Sequence, residues 1–573
     1  MLEKRLCFYL LFTLCFFISL GQLCHILDIY GSNDWIAQVC RLGDAMLLSL
    51  PLLCRKRTIM LFYLLFMSFF LLSIVWYFRT YSTIMPLSSY LLFVNLKGLG
   101  GSIVALMRWE DFRVVISFWL VFVFYCLVDR KYQNIGQERI KGIVVVSLIG
   151  LVGVLVVIPY CPNGRSVEKQ PMYIYPLDAA EGFKEFGLIN YWIYQFSLFH
   201  GVSDEEKIYA DKFIKRNICE GKVSVCDSTA HKYKNLILIL VESFQSWPIG
   251  LKVNGIEVTP YINSLVDRDD CLYFSNMVPQ VKDGRSSDAQ LIINTGLLPL
   301  RVGAASSLCS TNTFPSLPKA LKEKGYCTVS FVCDGANYWN QGIMSSAYGF
   351  DHLYDRMKLN AAWKAADAVL FERSIPLLKS LKKPFYAQIV TIASHSPYNK
   401  PLLPNTPLLC HKFRSEEVKY YLIALQYVDC CINNFVNNLK KEGLYDDSII
   451  VITGDHEQIS LNMYEGRKQV KCEDYFIPFI VLNTSFSSKF SDKVIGQMDV
   501  YPSLLDLMGC SGYFWKGLGE SVFGDTISDF ATYRTGIVAG DGAVSDSVKE
   551  YRKECWKISD ILLRMDYFKK RIK

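Results

Sequence analysis

Five apolar runs crowd the first 160 residues of this chain, and they constrain its folding more than any other feature. They extend from Cys7 to Ile26, Trp35 to Cys54, Thr58 to Phe78, Phe112 to Val128 and Ile143 to Tyr160. At roughly 17 to 21 residues, each is long enough as a helix to cross a hydrocarbon layer about 30 Å thick. A bilayer interior offers no water to an open backbone, so such segments must satisfy their own N–H and C=O groups as helices. The first run follows Met1-Leu-Glu-Lys-Arg and lacks a small-residue cleavage signature, so it reads as an uncleaved anchor.

Basic residues set the expected orientation. Lys4 and Arg5 precede the first run, Arg55-Lys56-Arg57 separates the second from the third, and Arg130, Lys131, Arg139 and Lys141 separate the fourth from the fifth. With five crossings these clusters share one side, which the positive-inside rule makes cytoplasmic, and everything after Tyr160 lies outside. Arg41 and Asp44, inside the second run, sit one helical turn apart and can pair, which offsets their cost in lipid. Thr83 to Met107 is apolar too, but Pro86, Lys97 and Gly98-Leu-Gly-Gly101 break it. It reads as an interfacial or re-entrant segment; as a further crossing it would reverse the parity.

A chain of 573 residues has room for more than a membrane domain. The net charge of +7 comes with no polybasic tail, which leaves no case for nucleic-acid binding. The 19 cysteines include no Cys-x-x-Cys pair of the zinc type, although Cys219 and Cys226 are close enough for a disulfide loop in an exported domain. Residues 1–161 are thus expected to form the membrane domain, and the polar, helical stretch 162–231 a juxtamembrane connector.

From Lys234 onward the pattern changes. Short β-rich apolar runs (Asn235 to Val241, Cys327 to Cys333, Phe385 to Ile392, Ser448 to Ile452, Phe476 to Leu482) alternate with amphipathic segments such as Tyr261 to Val266, Ser316 to Lys324 and Ile423 to Lys441. Strands apolar on both faces, alternating with helices, predict an α/β domain over 232–573 with a central, mostly parallel sheet. In such sheets functional residues gather where the strands end.

Four segments at strand ends carry chemistry. Leu236 to Val241 runs into Glu242, a carboxylate placed to bind a metal, or equally to cap a following helix. Ser448 to Thr453 leads into Gly454-Asp455-His456-Glu457, where an adjacent acid and imidazole supply one oxygen and one nitrogen to an ion such as Mn²⁺ or Zn²⁺. Asp283-Gly-Arg-Ser286-Ser-Asp288 opens a helical run, so Ser286 or Ser287 can be an N-cap, or Ser286 a nucleophile facing a phosphate at a helix N-terminus. Thr391-Ile-Ala-Ser-His395 places an imidazole that can bond a phosphoryl oxygen or carry a proton, or that is merely structural.

The succession Glu after the first strand, Gly-x-Ser-Ser-Asp, Ser-His, then Gly-Asp-His resembles the lipoteichoic acid synthase and phosphoglycerol transferase branch of the sulfatase (alkaline phosphatase) superfamily. The resemblance extends from the N-terminal spans to Gln497-Met-Asp-Val-Tyr-Pro-Ser-Leu-Leu-Asp506. It implies that Glu242, Ser286, Asp455 and His456 hold one divalent ion, Mn²⁺ ahead of Mg²⁺ or Zn²⁺. Ser286 stands where a threonine nucleophile is usual, and His395 matches the substrate-site histidine. Asp334, Tyr338 and Trp339 match an acid and an aromatic pair beside the head group. Two positions depart from the pattern: Gln341 stands where an arginine is expected, and Val332 where a histidine is expected. Losing a bidentate phosphate clamp there points to a different donor. Ser286 is followed by Ser-Asp-Ala-Gln rather than x-Pro-x-Arg, which argues against a formylglycine sulfatase.

The resemblance implies a multi-pass protein of a bacterial-type cell membrane with its catalytic domain outside. It would transfer a phospho-head-group, phosphoglycerol or similar, from a membrane phospholipid to an envelope glycan or glycolipid through a covalent Ser286 intermediate. A phosphodiesterase of the same fold, a phosphoethanolamine transferase and a non-catalytic envelope-binding protein remain the alternatives.

Overall fold

The computed structural model describes residues 2–27, 35–53, 56–81, 84–87, 89–90, 104, 106–129, 183, 187–193, 195, 201–216 and 234–570, apart from 362–364, 468–470, 485–490, 525–526 and 541–543. The chain forms two compact units, Met1–His200 and Gly201–Lys573.

Among the described residues of the first unit, three helices are long and apolar enough to cross a membrane: Cys7–Ile26, Arg57–Arg79 and Trp109–Val128. Phe62, Phe66, Leu120 and Leu127 project from them exposed, a surface suited to hydrocarbon. The second expected span is shorter than its apolar run. Its helix covers only Trp35–Ser49 and then tightens into a 3₁₀ turn at Leu50–Leu53, where Pro51 lacks the N–H an α-helix needs. The Asp44 carboxylate, expected to pair with Arg41, accepts the N–H groups of Leu188 (2.7 Å) and Ile189 (3.3 Å), and Arg41 donates to Gln38 (3.4 Å) and Cys24 Sγ (3.6 Å). Buried Asp111 binds Arg79 and the Trp76 indole (3.1 Å), tying two membrane-length helices together. The expected span at Ile143 to Tyr160, most of Thr83 to Met107, the basic residues between the fourth and fifth runs, and Cys219 and Cys226 lie outside the described residues.

The second unit is built on eight strands: β1 (Asn235–Val241), β2 (Cys271–Val278), β3 (Cys327–Val332), β4 (His352–Tyr354), β5 (Phe385–Val390), β6 (Ser448–Gly454), β7 (Ile477–Leu482) and β8 (Ile495–Gly496). They lie in the order β8-β2-β7-β6-β1-β5-β3-β4. The run β6-β1-β5-β3-β4 is parallel, and β7 is antiparallel to both of its neighbours. Every residue of β1 is buried because both faces are covered. Leu236, Leu238 and Leu240 join one apolar cluster with the Ser286–Thr295, Val500–Leu507 and Asp546–Arg564 helices. Ile237, Ile239 and Val241 join another with the Pro260–Val266, Ala366–Ser380 and Glu416–Lys441 helices.

Residues 201–216, expected within the connector, fold with this second unit. Ser203 caps the Asp204–Ile214 helix, whose Ala210, Phe213 and Ile214 are buried. Phe213 stacks on Tyr551 at 5.6 Å, and Glu206 pairs with Arg564 at 2.8 Å.

Candidate metal and catalytic centre

Four parallel neighbours, β6, β1, β5 and β3, deliver Asp455, Glu242, His395 and Asp334 to one edge of the sheet. The register pairs Leu240 with Thr453 and Val390, and Val332 with Val390, so these strands end level. That edge is where a doubly wound sheet exposes its loops to ligand.

Glu242, Asp455 and His456 are buried, and their ligand atoms lie within 4.8 Å of one another. His456 Nε2 is 3.3 Å from Glu242 Oε1 and 3.6 Å from Asp455 Oδ2. Backbone geometry holds them there. Ser243 is left-handed (φ 53°), an uncommon conformation for a residue with a Cβ, and it directs its N–H to Asp455 Oδ1 (2.7 Å) and its hydroxyl to Glu242 Oε1 (2.7 Å). Residue 454 must be glycine, because a Cβ would meet the Phe244 carbonyl oxygen at 2.0 Å. Gln497, within the Gln497–Asp506 stretch, donates to the Asp455 carbonyl at 2.8 Å.

Ser286 begins its helix, but neither it nor Ser287 is the cap. Arg285 occupies that position with φ 46°, and Asp288 closes the preceding loop by accepting the N–H groups of Lys282 and Gly284, each at 2.9 Å. Ser287 donates to the Gly284 carbonyl (2.8 Å). The Ser286 hydroxyl lies instead 3.2 Å from Glu242 Oε2 and 3.3 Å from His456 Nε2. Glu242 likewise points into this cluster, and turns rather than a helix follow it.

The electrostatics suit a cation. Burial alone would raise the Glu242 carboxyl, but the charges of His456 and His395 and the hydrogen bonds from His456 and Ser243 hold it well below the usual carboxylate range. Burial, reinforced by the Glu242 charge, pushes Asp455 up to about 7. Asp455 Oδ2 is buried, with His456 Nε2 at 3.6 Å. Two buried carboxylates converging with one imidazole are a donor set for a divalent ion, which would offset the cost of burying their charge together. The residues fit the metal that the sequence resemblance implies. Because a ligand must be deprotonated, apparent affinity for Mn²⁺ should fall as pH drops through about 7, with proton release on binding below that pH. Calorimetric titrations of metal-free protein at pH 6 and 8 check this; equal affinity and no proton release would assign the site differently.

The remaining expected residues lie nearby in two groups. His395 is half-buried, with Nδ1 turned to the Ser396 carbonyl, and Asp367 braces its loop by accepting the N–H groups of Ile392 (2.8 Å) and Ala393 (3.1 Å). Tyr338 and Trp339 are half-buried on the loop after β3. That loop reaches the Ser286 helix through Asn340, which donates to the Ser306 carbonyl (2.8 Å), while the Ser306 hydroxyl meets Ser287 at 3.0 Å. Asp334 pairs with Lys358 at 2.6 Å.

Gln341 is different. Its amide is buried and exchanges two hydrogen bonds with Gln290 (2.8 and 3.2 Å), which continue through Gln388 to Asn294. Ser286, Gln290 and Asn294 follow at four-residue intervals on one helix face. Gln341 is therefore part of the floor below Ser286, with its amide spent on its neighbours rather than presented at the rim.

Sequence reasoning missed a buried ionic cluster behind the site. Arg285 donates to Glu457 Oε1 (3.1 Å), the Glu457 carbonyl (2.6 Å) and Gln458 (3.0 Å), and it lies 3.2 Å from His456 Nδ1, which faces the same Glu457 carbonyl at 3.0 Å. Glu457 also meets Arg534 (2.9 Å) and the Tyr533 hydroxyl (2.8 Å). The available signal was a charge of opposite sign adjoining each of two motifs, Arg285 before Ser286 and Glu457 after His456.

Two family descriptions match this chain in succession, the lipoteichoic acid synthase N-terminal domain over residues 2–207 and sulfatase over residues 234–510. The chain belongs to the lipoteichoic acid synthase-like branch of the sulfatase superfamily. Within that branch, it is 31% identical to lipoteichoic acid synthase 2 of Bacillus subtilis over 319 residues, covering 53% of this chain and 49% of that protein. It is 28% identical to the lipoteichoic acid synthase of Staphylococcus saprophyticus over 506 residues, 82% of this chain and 75% of that protein. The chain thus spans about half the length of the first relative and three quarters of the second. Among solved structures, a lipoteichoic acid synthase of Listeria monocytogenes superposes with a TM-score of 0.49 at 23% identity, over 58% of this chain and 93% of that one. As a member of this branch, the chain is a membrane protein with a sulfatase-like enzyme domain.

Proposed function

We propose that this lipoteichoic acid synthase-like protein transfers a phospho-head-group, phosphoglycerol or similar, from a membrane phospholipid to an envelope glycan or glycolipid. The observation that carries this reading is the Ser286 hydroxyl, 3.2 and 3.3 Å from Glu242 and His456 at the start of a helix. A hydroxyl so placed is a nucleophile in waiting, since the helix N-terminus favours the incoming phosphate. The names of the relatives support the same class of reaction.

Glu242, Asp455 and His456, with Ser286, would hold one divalent ion, Mn²⁺ ahead of Mg²⁺ or Zn²⁺. Such an ion lowers the hydroxyl's pKa and offsets charge on the phosphoryl oxygens. Ser286 Oγ gives up its proton and bonds to phosphorus, and the bond from phosphorus to the diacylglycerol oxygen breaks, that oxygen taking up a proton. An acceptor hydroxyl then bonds to the same phosphorus as the Ser286 Oγ–P bond breaks. His395 carries the proton between the attacking and departing oxygens. Asp334, Tyr338 and Trp339 contact the head group.

The membrane domain of residues 1–161, with five crossings, would leave the catalytic domain of 232–573 outside the cell beside the outer leaflet, with 162–231 joining them. The test is to incubate the full chain in detergent with Mn²⁺ and a panel of phospholipids. Released diacylglycerol together with a head-group-sized mass on the Ser286 peptide is the expected result. Neither product from any lipid, despite bound metal, would overturn the reading in favour of a hydrolase of another ester or a binding protein.

A further inference from the structure

Resting on the head-group-transfer reading, we propose that Lys358 is a specificity-determining residue: it neutralises Asp334 where the head group binds, so the site takes a hydroxylated or anionic head group and disfavours an aminated one. Lys358 Nζ donates to Asp334 Oδ1 at 2.6 Å, and the two side chains are 29% and 31% exposed. The pair thus stands partly open at the end of β3 rather than packing into the core.

The Lys358 loop is built for this position. Its backbone zips onto the β3 end through Arg356 N to the Asp334 carbonyl (2.9 Å) and Met357 N to the Val332 carbonyl (3.2 Å), and Asp355 Oδ2 accepts the Ala336 N–H (2.9 Å). Arg356, Leu359 and Asn360 all sit at positive φ (51°, 44° and 63°). Side chains other than glycine adopt that region at an energetic cost, so the surrounding contacts impose the loop's path.

The chemistry follows from charge. A lone carboxylate beside the reacting phosphate would accept hydroxyl hydrogen bonds and would also attract an ammonium. With Lys358 on one oxygen, the carboxylate keeps acceptor capacity for hydroxyls, while an ammonium must displace the lysine or endure its repulsion.

The experiment gives the full-length protein equimolar phosphatidylglycerol and phosphatidylethanolamine with Mn²⁺ and weighs the two adducts on the Ser286 peptide. Wild type is expected to carry chiefly phosphoglycerol. Lys358→Met should shift the ratio toward phosphoethanolamine by about fivefold, the size of a partly exposed charge pair's contribution. Lys358→Arg should keep the wild-type ratio, and both variants should bind Mn²⁺ as wild type does, which separates specificity from misfolding. An unchanged ratio in Lys358→Met, or a wild type carrying chiefly phosphoethanolamine, overturns the assignment while leaving the transfer reading intact. A wild type that forms no adduct with either lipid overturns the transfer reading itself and this inference with it.

Discussion

Ser286→Ala should abolish head-group transfer, with loss of at least about a thousandfold in diacylglycerol release, while Ser286→Thr stays within about tenfold of wild type. The asymmetry follows from position. Ser286 is the first residue of its helix and is only half-buried, so an added methyl group has room there. What the reaction requires is the oxygen, held between Glu242 and His456. Alanine leaves those ligand atoms in place, so Mn²⁺ affinity should drop far less than turnover does. Measuring both on the same preparation distinguishes a nucleophile from a purely structural hydroxyl. Persistent release by Ser286→Ala would mean that water attacks the donor directly and that no covalent intermediate forms.

The sheet was legible where its strands are buried on both faces. β1, β5 and β6 are largely apolar runs, interrupted in β5 by Gln388, and their ends gave Glu242, Asp455, His456 and the His395 loop. β2 was legible only as a strand of unstated bounds before Asp283, because half-buried and buried residues interleave along it, and β4 and β8 went unseen because three and two residues carry no period. The membrane unit divides similarly: unbroken apolar runs gave three membrane-length helices, whereas Pro51 cut the second short. Gln341 was readable as a departure from the arginine of the family pattern, but its direction depended on Gln290, 51 positions earlier on the Ser286 helix, and through it on Gln388 of β5. The Arg285–Glu457 contact joins positions 172 apart and becomes visible only when the helix start and the strand end are brought together.

That contact is where stability and chemistry meet. Arg285 and Glu457 are 5% and 4% exposed, and Arg534, at 8%, shares the same carboxylate. Burial alone would raise Glu457, but the charges of Arg534 and Arg285 lower it to about 2. A depressed carboxylate contributes stability that is fully present above its unfolded value of 4.5 and is lost as pH falls through about 2. Near neutral pH the cluster is intact, so its role has to be exposed by substitution. Glu457→Ala strands two buried guanidinium groups and should cost about 3–5 kcal/mol, read as a lowered thermal midpoint of the full chain in detergent. It should also slow transfer, because Arg285 and His456 Nδ1 share the Glu457 carbonyl and Arg285 immediately precedes Ser286; a loosened Arg285 misplaces both a metal ligand and the nucleophile. Glu457→Gln keeps the shape but removes the charge, and should fall between wild type and alanine in both readouts. If Glu457→Ala lowered the midpoint while leaving kcat and Mn²⁺ affinity untouched, the cluster would be a structural brace alone. Loss of all three together would tie the catalytic geometry to this buried charge.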